Sequence, residues 1–318
     1  MASQDESPVI VIGGPTASGK SALALAIAGE FHGTVINADS MQLYDALPIL
    51  TAQPSAADRA AAPHLLYGVL PAEQVGSAQL WRDMALSAIA DTRRAARLPV
   101  VVGGTGLYLR TLMQGLSPMP DIPDAVRQRV RALWDRDGPQ AVRARLERLD
   151  PPAAARLKPG DRQRQLRALE VVEATGRPLS EWQTAAVAGP PPGLRFVTIL
   201  LQPDRQALRQ AIAGRLQAMV VAGALAEVGA LLKRDLPPDR PLLRALGMPE
   251  LAAHAMGKIT LDQALEGAIT ATRQYAKRQE TWFRHQFIAD LTIKSQFSEK
   301  ILPEIFSFIR QTGLTPPG

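Results

Sequence analysis

The sequence predicts an α/β fold: a parallel sheet flanked by helices, with an inserted all-helical basic domain and further helices at the C-terminus. Over the first third of the chain, short apolar runs rich in Val and Ile alternate with longer helical patterns. Such alternation is typical of a parallel sheet. Near residue 117 the pattern becomes helical and rich in arginine, and an apolar strand pattern returns at 195–203.

The elements of the first third are predicted from their length and apolar content. They are, in order, a strand at 9–14, a helix at 20–31, a strand at 34–39, a helix at 78–97, a strand at 98–104 and a helix from about Thr105. The strands are apolar along their whole length, as expected for strands that are covered on both faces.

Two proline-rich stretches bound the insert, SPMPDIPD at 117–124 and GPPPG at 189–193. Residues 121–180 contain 13 Lys and Arg against 9 Asp and Glu, an excess of four positive charges in a chain of formal net charge +6. A basic excess of this kind permits a polyanionic partner.

The predicted domains follow from these boundaries. Residues 1–120 and 194–318 form a core with C-terminal helices, and residues 121–193 form the helical insert. Helices are expected to the end of the chain, including an amphipathic helix after residue 291.

Composition excludes several classes of protein. The 318 residues include no cysteine, which rules out disulfides and thiolate metal sites and fits a reducing cytoplasm. No run of about 20 apolar residues is present, so no membrane span is expected. The first eight residues are polar and acidic, so no secretory signal is expected there. We expect a cytoplasmic monomer.

A phosphate-binding loop follows the first predicted strand. The stretch GGPTASGKS at 13–21 matches G-x-x-x-x-G-K-[ST] through Gly14, Gly19, Lys20 and Ser21. In such loops, backbone N–H groups and a helix N-terminus surround an anion, while the lysine adds charge and the serine can ligate Mg²⁺. Its place between a strand and a helix favours this interpretation over a chance match, and predicts a P-loop NTPase-like core.

The loop does not by itself indicate ATP hydrolysis. Many P-loop NTPases hold Mg²⁺ with a second carboxylate at the end of an apolar strand. The candidate strand at 98–104 ends in glycines, with no Asp or Glu. A motor or switch NTPase is therefore disfavoured, and a small-molecule kinase stays open.

Two polar residues are predicted at the same sheet edge as the loop. Asp39 ends the second strand and Thr105 follows the third, and ligands of parallel sheets bind at the carboxyl ends of the strands. Asp39 could act as a general base or contact Mg²⁺ indirectly, or it could cap a helix. Thr105 offers a hydroxyl, with a simple strand–helix turn as the alternative.

Six motifs in order make the chain resemble the tRNA dimethylallyltransferase (IPP transferase) family over about residues 9–286. They are GGPTASGKS, DSMQLY, GGTGLYLR, DRQRQLRALEV, RALGMPEL and TRQYAKRQETWFRH. The resemblance implies transfer of the dimethylallyl group from dimethylallyl diphosphate to N6 of the adenosine immediately 3′ of the anticodon, in tRNAs reading codons that begin with U. It implies a requirement for Mg²⁺.

The resemblance also implies roles for individual residues. Asp39 accepts the proton of the adenine amine, and Thr105 contacts substrate near the reacting centre. The diphosphate-binding residues are Gly14, Pro15, Thr16, Ala17, Ser18, Gly19, Lys20, Ser21 and Arg215, with Ser21 as the Mg²⁺ ligand. The tRNA-binding residues are Asp39, Ser40, Met41, Gln42, Thr105, Arg127, Gln163, Arg164, Gln165, Leu166, Arg167, Arg244, Arg273 and Lys277.

In this scheme the target adenine leaves its stack and enters the cleft, where Gln42 is expected to read its hydrogen-bonding edge. Arg164 and Arg167 share a helix face, as do Arg273 and Lys277. Any one of the insert's arginines could instead lie on a solvated helix surface or form an internal ion pair. That alternative is preferred for Arg143, Arg145 and Arg148.

The chain departs from the family pattern in two places. LPILTAQP at 47–54 stands where the family often has D-I-G-T-A-K-P, so Pro48, Leu50 and Gln53 replace the acidic residue, the glycine and the lysine. Met248 replaces a family tyrosine. These changes bear on local substrate contacts.

Two other functions remain as alternatives. The first is an adenylate dimethylallyltransferase, which prenylates a free nucleotide. The second is a P-loop kinase that acts on a small molecule. The basic insert and the TRQYAKRQ stretch favour tRNA, because a mononucleotide needs no extended basic surface.

Overall fold

The computed structural model describes residues 7–117, 119, 121–184 and 189–313. The chain separates into two compact units, one of Met1–Met113 with Pro192–Gly318 and the other of Gln114–Pro191. The first unit contains the sheet, and the second is helical wherever it has regular structure among the described residues.

Among the described residues, six strands form one parallel sheet in the first unit. They are β1 (Ser7–Gly13), β2 (Gly33–Asn37), β3 (His64–Leu65), β4 (Leu98–Gly103), β5 (Leu194–Leu201) and β6 (Leu291–Ile293). Their order is β3-β2-β4-β1-β5-β6, and every neighbouring pair is parallel. This sheet, flanked by helices, confirms the predicted fold class.

The order of the strands brings three strand ends together. β4 lies between β1 and β2, and in the sheet register Gly13 is opposite Gly103 while Asn37 is opposite Val102. The loops that follow β1, β2 and β4 therefore begin at one edge. In open parallel sheets this is the edge at which ligands bind.

The described part of the chain contains thirteen α-helices. They are α1 (Lys20–Glu30), α2 (Ala56–Ala61), α3 (Ala78–Arg94), α4 (Gly106–Gln114), α5 (Asp124–Leu149), α6 (Pro151–Arg156), α7 (Arg162–Thr175), α8 (Leu179–Thr184), α9 (Arg205–Val221), α10 (Ala224–Leu232), α11 (Met248–Ala255), α12 (Leu261–Gln286) and α13 (Leu302–Gln311). Short 3-10 turns occur at Pro241–Arg244 and Glu299–Ile301.

The helices of the first unit cover both faces of the sheet. Alternate residues of a strand point to opposite faces, so Val9 and Val11 of β1 pack with residues of α3, α4 and α9–α12. Ile10 and Ile12 pack on the other face, with residues of α1 and α13. All four side chains are fully buried, which explains why β1 reads as an unbroken apolar run.

The insert has its own apolar core, formed by residues of α5–α8. Helix α5 is broken at Gly138, whose φ of 80° and ψ of −179° are not helical, and Pro139 follows. The carboxylate of Asp150 is fully buried and joins two helices: Oδ1 accepts from the Ala153 N–H and the Ser180 hydroxyl, and Oδ2 accepts from the Ser180 N–H. A satisfied buried carboxylate of this kind fixes the packing of α6 against α8.

Two strands depart from the sequence prediction. β3 has only two residues, too few to give a pattern. β6 lies in the tail where only helices were expected, and it pairs with β5 through Ile199 and Leu291. That expectation was wrong, because three residues become a strand only when a neighbouring edge supplies hydrogen bonds. The amphipathic helix expected in the tail is α13.

No single helix among the described residues is both long enough and apolar enough to cross a membrane. Helices α9 and α10 reach the length and apolar composition of a membrane span only when they are taken together, and a 68° bend separates them.

Gly103 ends β4 where two backbones meet. A Cβ at this position would lie 2.1 Å from the Ala38 carbonyl oxygen, and a backbone atom cannot rotate away. Gly103→Ala is expected to lower the free energy of unfolding by about 1–3 kcal/mol. The measurement is urea denaturation. The control is Gly29→Ala, in α1, where a Cβ meets nothing within 4 Å. Equal stability of the two variants would contradict the argument.

Candidate active site

The phosphate loop connects β1 to α1 and is held from outside. Ala17 and Gly19 have φ of 63° and 88°. The Ala17 carbonyl accepts from Gln296 Nε2 at 2.6 Å, and the Ser18 carbonyl accepts from the Phe297 N–H at 3.4 Å. A Cβ at Gly19 would lie 2.4 Å from the Phe297 Cβ, so the loop requires glycine there. The first N–H groups of α1 have no partner within the helix, and with the helix dipole they favour an anion.

Two cations lie beside this loop. Lys20 Nζ donates to the Pro15 carbonyl at 3.3 Å, and Arg215 Nη2, from α9, donates to Thr16 Oγ1 at 2.5 Å. Burial lowers the pKa of Lys20 to about 8, although the nearby Asp39 raises it, and Arg215 lowers it further. Burial also lowers the pKa of Arg215. Arg215 Nε has no partner among the described residues. Two partly buried cations with unused N–H donors suit an anion with several oxygens.

Asp39 follows β2 in a turn that fixes its carboxylate. Asn37 Oδ1 accepts from the Asp39 N–H at 2.7 Å, and Asn37 Nδ2 donates to the Asp39 carbonyl at 2.9 Å. Asp39 Oδ1 accepts from the Met41 N–H at 3.0 Å. Within the described ranges no hydrogen bond reaches Oδ2. One oxygen thus caps the turn, and the other is available to take a proton.

Thr105 connects the ends of β4 and β2. Its N–H donates to the Ala38 carbonyl at 3.3 Å. Its Oγ1 accepts from the Ser40 N–H at 3.0 Å and lies 3.3 Å from Ser40 Oγ. A Cβ at Gly106 would lie 2.3 Å from the Trp282 ring, so the glycine next to Thr105 lets α12 approach. Thr105 and the Asp39 turn therefore form one hydrogen-bonded group.

Gln42 is held by residues 47–54, the segment LPILTAQP that departs from the family pattern. Its Nε2 donates to the carbonyls of Thr51 at 2.9 Å and Ala52 at 2.7 Å. That segment is anchored in turn by Glu227, whose two carboxylate oxygens accept from the N–H groups of Ile49 and Leu50 at 2.7 and 3.0 Å. Both amide hydrogens of Gln42 are therefore used internally, and Oε1 is the atom left to contact a ligand.

Three tyrosines lie within the electrostatic influence of Asp39. Burial raises the pKa of Tyr67, Tyr108 and Tyr275, and the negative charge of Asp39 adds to each shift. Trp81 stacks on Tyr108 with 4.5 Å between ring centroids and 9° between ring planes. Rings of this kind exclude water and strengthen the electrostatic interactions of a nearby charge.

Two glutamines that bind the loop have no role predicted from the sequence. Gln296 lies in the tail, which carries no recognisable motif. Gln279 lies on α12, two residues after Lys277 in the TRQYAKRQ stretch. Its Oε1 accepts from the Thr16 N–H at 2.8 Å, and its Nε2 donates to the Gly104 carbonyl at 2.8 Å. Its place in the TRQYAKRQ motif marks the segment as functional. The motif does not show that this glutamine binds the phosphate loop.

The predicted tRNA-binding residues of the insert differ in exposure. Arg164 is 75% exposed and pairs with Asp161, whereas Arg127 and Arg167 are 38% and 39% exposed. Gln163 is also exposed. Arg127 lies 3.7 Å from Asp121 and 4.0 Å from Asp124, and Arg167 lies 3.9 Å from Glu170. Burial lowers the pKa of Arg167, against the attraction of Glu170.

Two neighbouring residues of α7 face the interior of the insert. Gln165 is fully buried, and its Nε2 donates to the carbonyls of Lys158 and Pro159 at 3.0 and 2.6 Å. Leu166 is 7% exposed and packs in the core. Their side chains offer no surface to a nucleic acid in this structure, because the helix turns them away from the face that carries Arg164.

The remaining predicted cations lie in the first unit. Arg244 ends the 3-10 turn Pro241–Arg244 and is exposed. Arg273 and Lys277 are exposed on α12, one turn apart. Their spacing presents both charges on one face of the helix.

The described residues contain no group of three or more His, Cys, Asp or Glu side chains that could hold a metal ion. A metal at this site would need oxygen ligands from elsewhere, such as hydroxyls, substrate phosphates and water. Mg²⁺ accepts such a mixed set readily.

The fold and the site define a P-loop protein, in which the loop GGPTASGKS lies beside a carboxylate and a hydroxyl at one sheet edge. The sequence profile of the family described as IPP transferase matches residues 42–286. The chain belongs to this family, as its motifs indicated.

Its relatives match it over most of their length. A tRNA dimethylallyltransferase of Rhodospirillum centenum is 56% identical over 282 residues, which are 89% of this chain and 90% of that one. Another, of Paramagnetospirillum magneticum, is 51% identical and covers 98% of both chains.

Solved structures also resemble it. The tRNA isopentenylpyrophosphate transferase of Bacillus halodurans superposes with a TM-score of 0.68 at 30% identity, over 96% of each chain. A eukaryotic dimethylallyltransferase acting on tRNA superposes with a TM-score of 0.76 at 26% identity, over 98% of this chain and 80% of that one.

Proposed function

We propose that this protein transfers the dimethylallyl group of dimethylallyl diphosphate to N6 of the adenosine that follows the anticodon on its 3′ side, in tRNAs reading codons that begin with U. The relatives named above are tRNA dimethylallyltransferases, and the adenosine and the codon class are those that the family resemblance implies. One observation carries the proposal: the loop that holds Lys20 follows β1 and the turn that holds Asp39 follows β2 at one sheet edge, and Arg215 Nη2 donates to Thr16 Oγ1 of that loop. The cations that hold the leaving diphosphate and the carboxylate that removes the proton can therefore take part in the same reaction.

In this reaction the C1–O bond of the donor breaks, and its electron pair leaves with the diphosphate. The lone pair of adenine N6 forms the new C–N bond, and N6 loses a proton to Asp39 Oδ2. Lys20, Arg215 and the N–H groups at the start of α1 stabilise the charge that develops on the leaving oxygen.

The diphosphate is held by the whole loop and by Arg215. The loop residues are Gly14, Pro15, Thr16, Ala17, Ser18, Gly19, Lys20 and Ser21. Thr16 contributes its hydroxyl, because its N–H is used by Gln279. Ser18 Oγ is buried with no partner among the described residues, and Gly14 packs tightly over it, since a Cβ there would lie 2.9 Å from this oxygen.

The residues at the site fit a bound Mg²⁺. Ser21 is exposed in the first turn of α1. Its hydroxyl is a hard oxygen donor of the kind Mg²⁺ prefers, with the diphosphate and water completing the shell. When bound, the ion neutralises charge on the leaving group. Ser21 would hold it directly.

The flipped adenine lies against the Asp39 turn. Ser40, Met41 and Gln42 supply its polar contacts, with Gln42 Oε1 as the reader of its edge, and Thr105 supports the turn through its bonds to Ser40. The tyrosines within the electrostatic influence of Asp39 suit both the flat base and the apolar dimethylallyl group.

The tRNA backbone is contacted by polar side chains that are exposed or half-buried. They are Arg127, Gln163, Arg164 and Arg167 on the insert, and Arg244, Arg273 and Lys277 on the core. The side chains of Gln165 and Leu166 are buried inside the insert and take no part. In this proposal residues 121–193 form the tRNA-contacting domain, and residues 1–120 with 194–318 form the catalytic domain.

One assay tests the function against its alternatives. The protein is incubated with labelled dimethylallyl diphosphate, Mg²⁺ and either unmodified tRNA or AMP, and the products are separated after nuclease digestion. We expect label on N6 of one adenosine of tRNA. Label in AMP alone would make the protein an adenylate dimethylallyltransferase. Phosphoryl transfer in a parallel incubation with ATP, with no prenyl product in the first, would make it a kinase.

Arg167→Ala is expected to weaken tRNA binding and to reduce the log–log salt slope of the binding constant by up to about one unit. The reason is the loss of one phosphate contact and the counterion that it releases. The measurement is fluorescence anisotropy with labelled tRNA over a range of salt. Arg136→Ala, which removes an exposed arginine paired with Asp137, is the control. An unchanged slope for Arg167→Ala would mean that Arg167 touches no phosphate.

A cytoplasmic location and a monomeric state remain predictions of the sequence. Light scattering at assay concentration measures the second directly, and a dimer would contradict it.

A further inference from the structure

Helix α12 inserts one amide between two of the strand-end loops. Gln279 is 5% exposed. Its two hydrogen bonds, both 2.8 Å long, join the loop after β1 at Thr16 to the loop after β4 at Gly104. A side-chain amide suits this place because it presents one acceptor and one donor on the same planar group. A Cβ at Gly104 would lie 2.3 Å from Nε2. Position 104 therefore requires glycine for the Gln279 amide to occupy this place.

On the donor side, Gln279 orients the peptide group that holds Lys20. The Thr16 N–H and the Pro15 carbonyl belong to one planar trans peptide and point in opposite directions. The N–H is bound by Gln279, and the carbonyl accepts from Lys20 Nζ at 3.3 Å. Rotation of this peptide would break both bonds, so the amide fixes the position of the ammonium.

On the acceptor side, Gln279 orients the peptide group next to the Asp39 turn. The Gly104 carbonyl and the Thr105 N–H also share one peptide. The carbonyl is bound by Gln279, and the N–H donates to the Ala38 carbonyl at 3.3 Å. Ala38 directly precedes Asp39. A continuous series of hydrogen bonds and rigid peptides thus runs from the Lys20 ammonium, through Gln279, to the backbone of Asp39.

We propose that Gln279 is a positioning residue for the transfer reaction, which sets the separation between the cation that holds the leaving diphosphate and the carboxylate that deprotonates the acceptor. The inference rests on the proposed function. Gln279 touches neither substrate; it acts through Lys20 and Asp39. An error of about 1 Å in such a separation costs up to about 10²-fold in rate.

Two variants test the proposal. Gln279→Glu keeps the shape and the acceptor for the Thr16 N–H, but sets a carboxylate against the Gly104 carbonyl. Gln279→Leu removes both bonds. Each is expected to lower kcat by roughly 10- to 100-fold and to leave the Kd for tRNA unchanged. The matched control is Gln286→Leu, at the exposed end of the same helix, with wild-type kcat expected.

The pH dependence separates positioning from general damage. A buried carboxyl has a raised pKa and regains an O–H donor when protonated. The rate of Gln279→Glu, divided by the wild-type rate at the same pH, should therefore rise as pH falls, whereas that of Gln279→Leu should stay flat. Division by the wild-type rate removes the titration of the groups that the two proteins share. Melting temperatures are recorded for all variants. If Gln279→Leu does not fold, the pH dependence of Gln279→Glu alone tests the positioning role.

The outcomes are distinct. An unchanged kcat for both variants, a loss confined to the Kd for tRNA, or a flat ratio for Gln279→Glu would each overturn the positioning role. A wild-type protein that forms no prenylated adenosine would instead overturn the proposed function. Binding of inorganic diphosphate by calorimetry still tests Gln279 in that case. We expect weaker binding by Gln279→Leu, because the Lys20 ammonium loses its fixed position, and equal binding would refute the inference.

Discussion

Asp39→Asn is expected to lower kcat by about 10²- to 10⁴-fold, the usual contribution of a general base. The substitution changes the chemistry and preserves the structure. An asparagine oxygen can still accept the Met41 N–H that Oδ1 binds at 3.0 Å, so the turn after β2 keeps its shape. What disappears is the second oxygen's capacity to take the N6 proton.

The measurement is single-turnover prenylation at saturating tRNA and dimethylallyl diphosphate, together with the Kd for tRNA. Asp45→Asn, an exposed carboxylate six residues along the same segment, is the control and should retain wild-type kcat. A Kd for tRNA that rises as much as kcat falls would make Asp39 a residue that holds the base and not one that deprotonates it.

Lys20→Met is expected to reduce kcat/KM for dimethylallyl diphosphate by roughly 10²- to 10³-fold, comparable to the loss of one charge-stabilising donor. Methionine fills a similar volume but cannot carry charge. Removal of a desolvated ammonium also removes a cost to folding. The melting temperature should therefore hold or rise, which separates the loss of rate from unfolding. Lys258→Met, at an exposed position after α11, is the control.

The same lysine gives the reaction a pH dependence. Burial lowers its pKa to about 8 from the usual 10.5, so the free protein loses this charge as pH rises through about 8. Below that pH the cation is present and binds the diphosphate. Above it, kcat/KM for the donor should fall by up to about tenfold per pH unit, and Lys20→Met should lack this decline. A wild-type profile that stays flat over about pH 7 to 10 would contradict the assignment.

Much of this site was predictable from the sequence. The loop GGPTASGKS is recognisable from local sequence, because its glycines, lysine and serine occur at fixed spacings within one strand–helix connection. Asp39 and Thr105 follow apolar runs that read as buried strands, so the parallel topology alone brings them to the edge where the loop lies.

Other features depended on contacts between distant segments. Gln42 was predicted as a reader of adenine, but no pattern shows that its amide hydrogens are bound by Thr51 and Ala52. Gln165 and Leu166 belong to a motif of otherwise exposed residues, and only the packing of α7 shows that they face inward. Motif membership identifies a segment, whereas burial decides which of its side chains can touch a ligand.

The sequence by itself determined the four central strands, the phosphate loop and the residues at the strand ends, because local spacing and apolar patterning control these features. The tertiary structure decided how the strand-end loops are held relative to one another. Gln279 lies 263 residues from Thr16 and 175 from Gly104, and Gln296 lies 279 residues from Ala17. Hydrogen bonds over such separations exist only once the chain has folded, since they depend on the packing of α12 and the tail against the sheet edge.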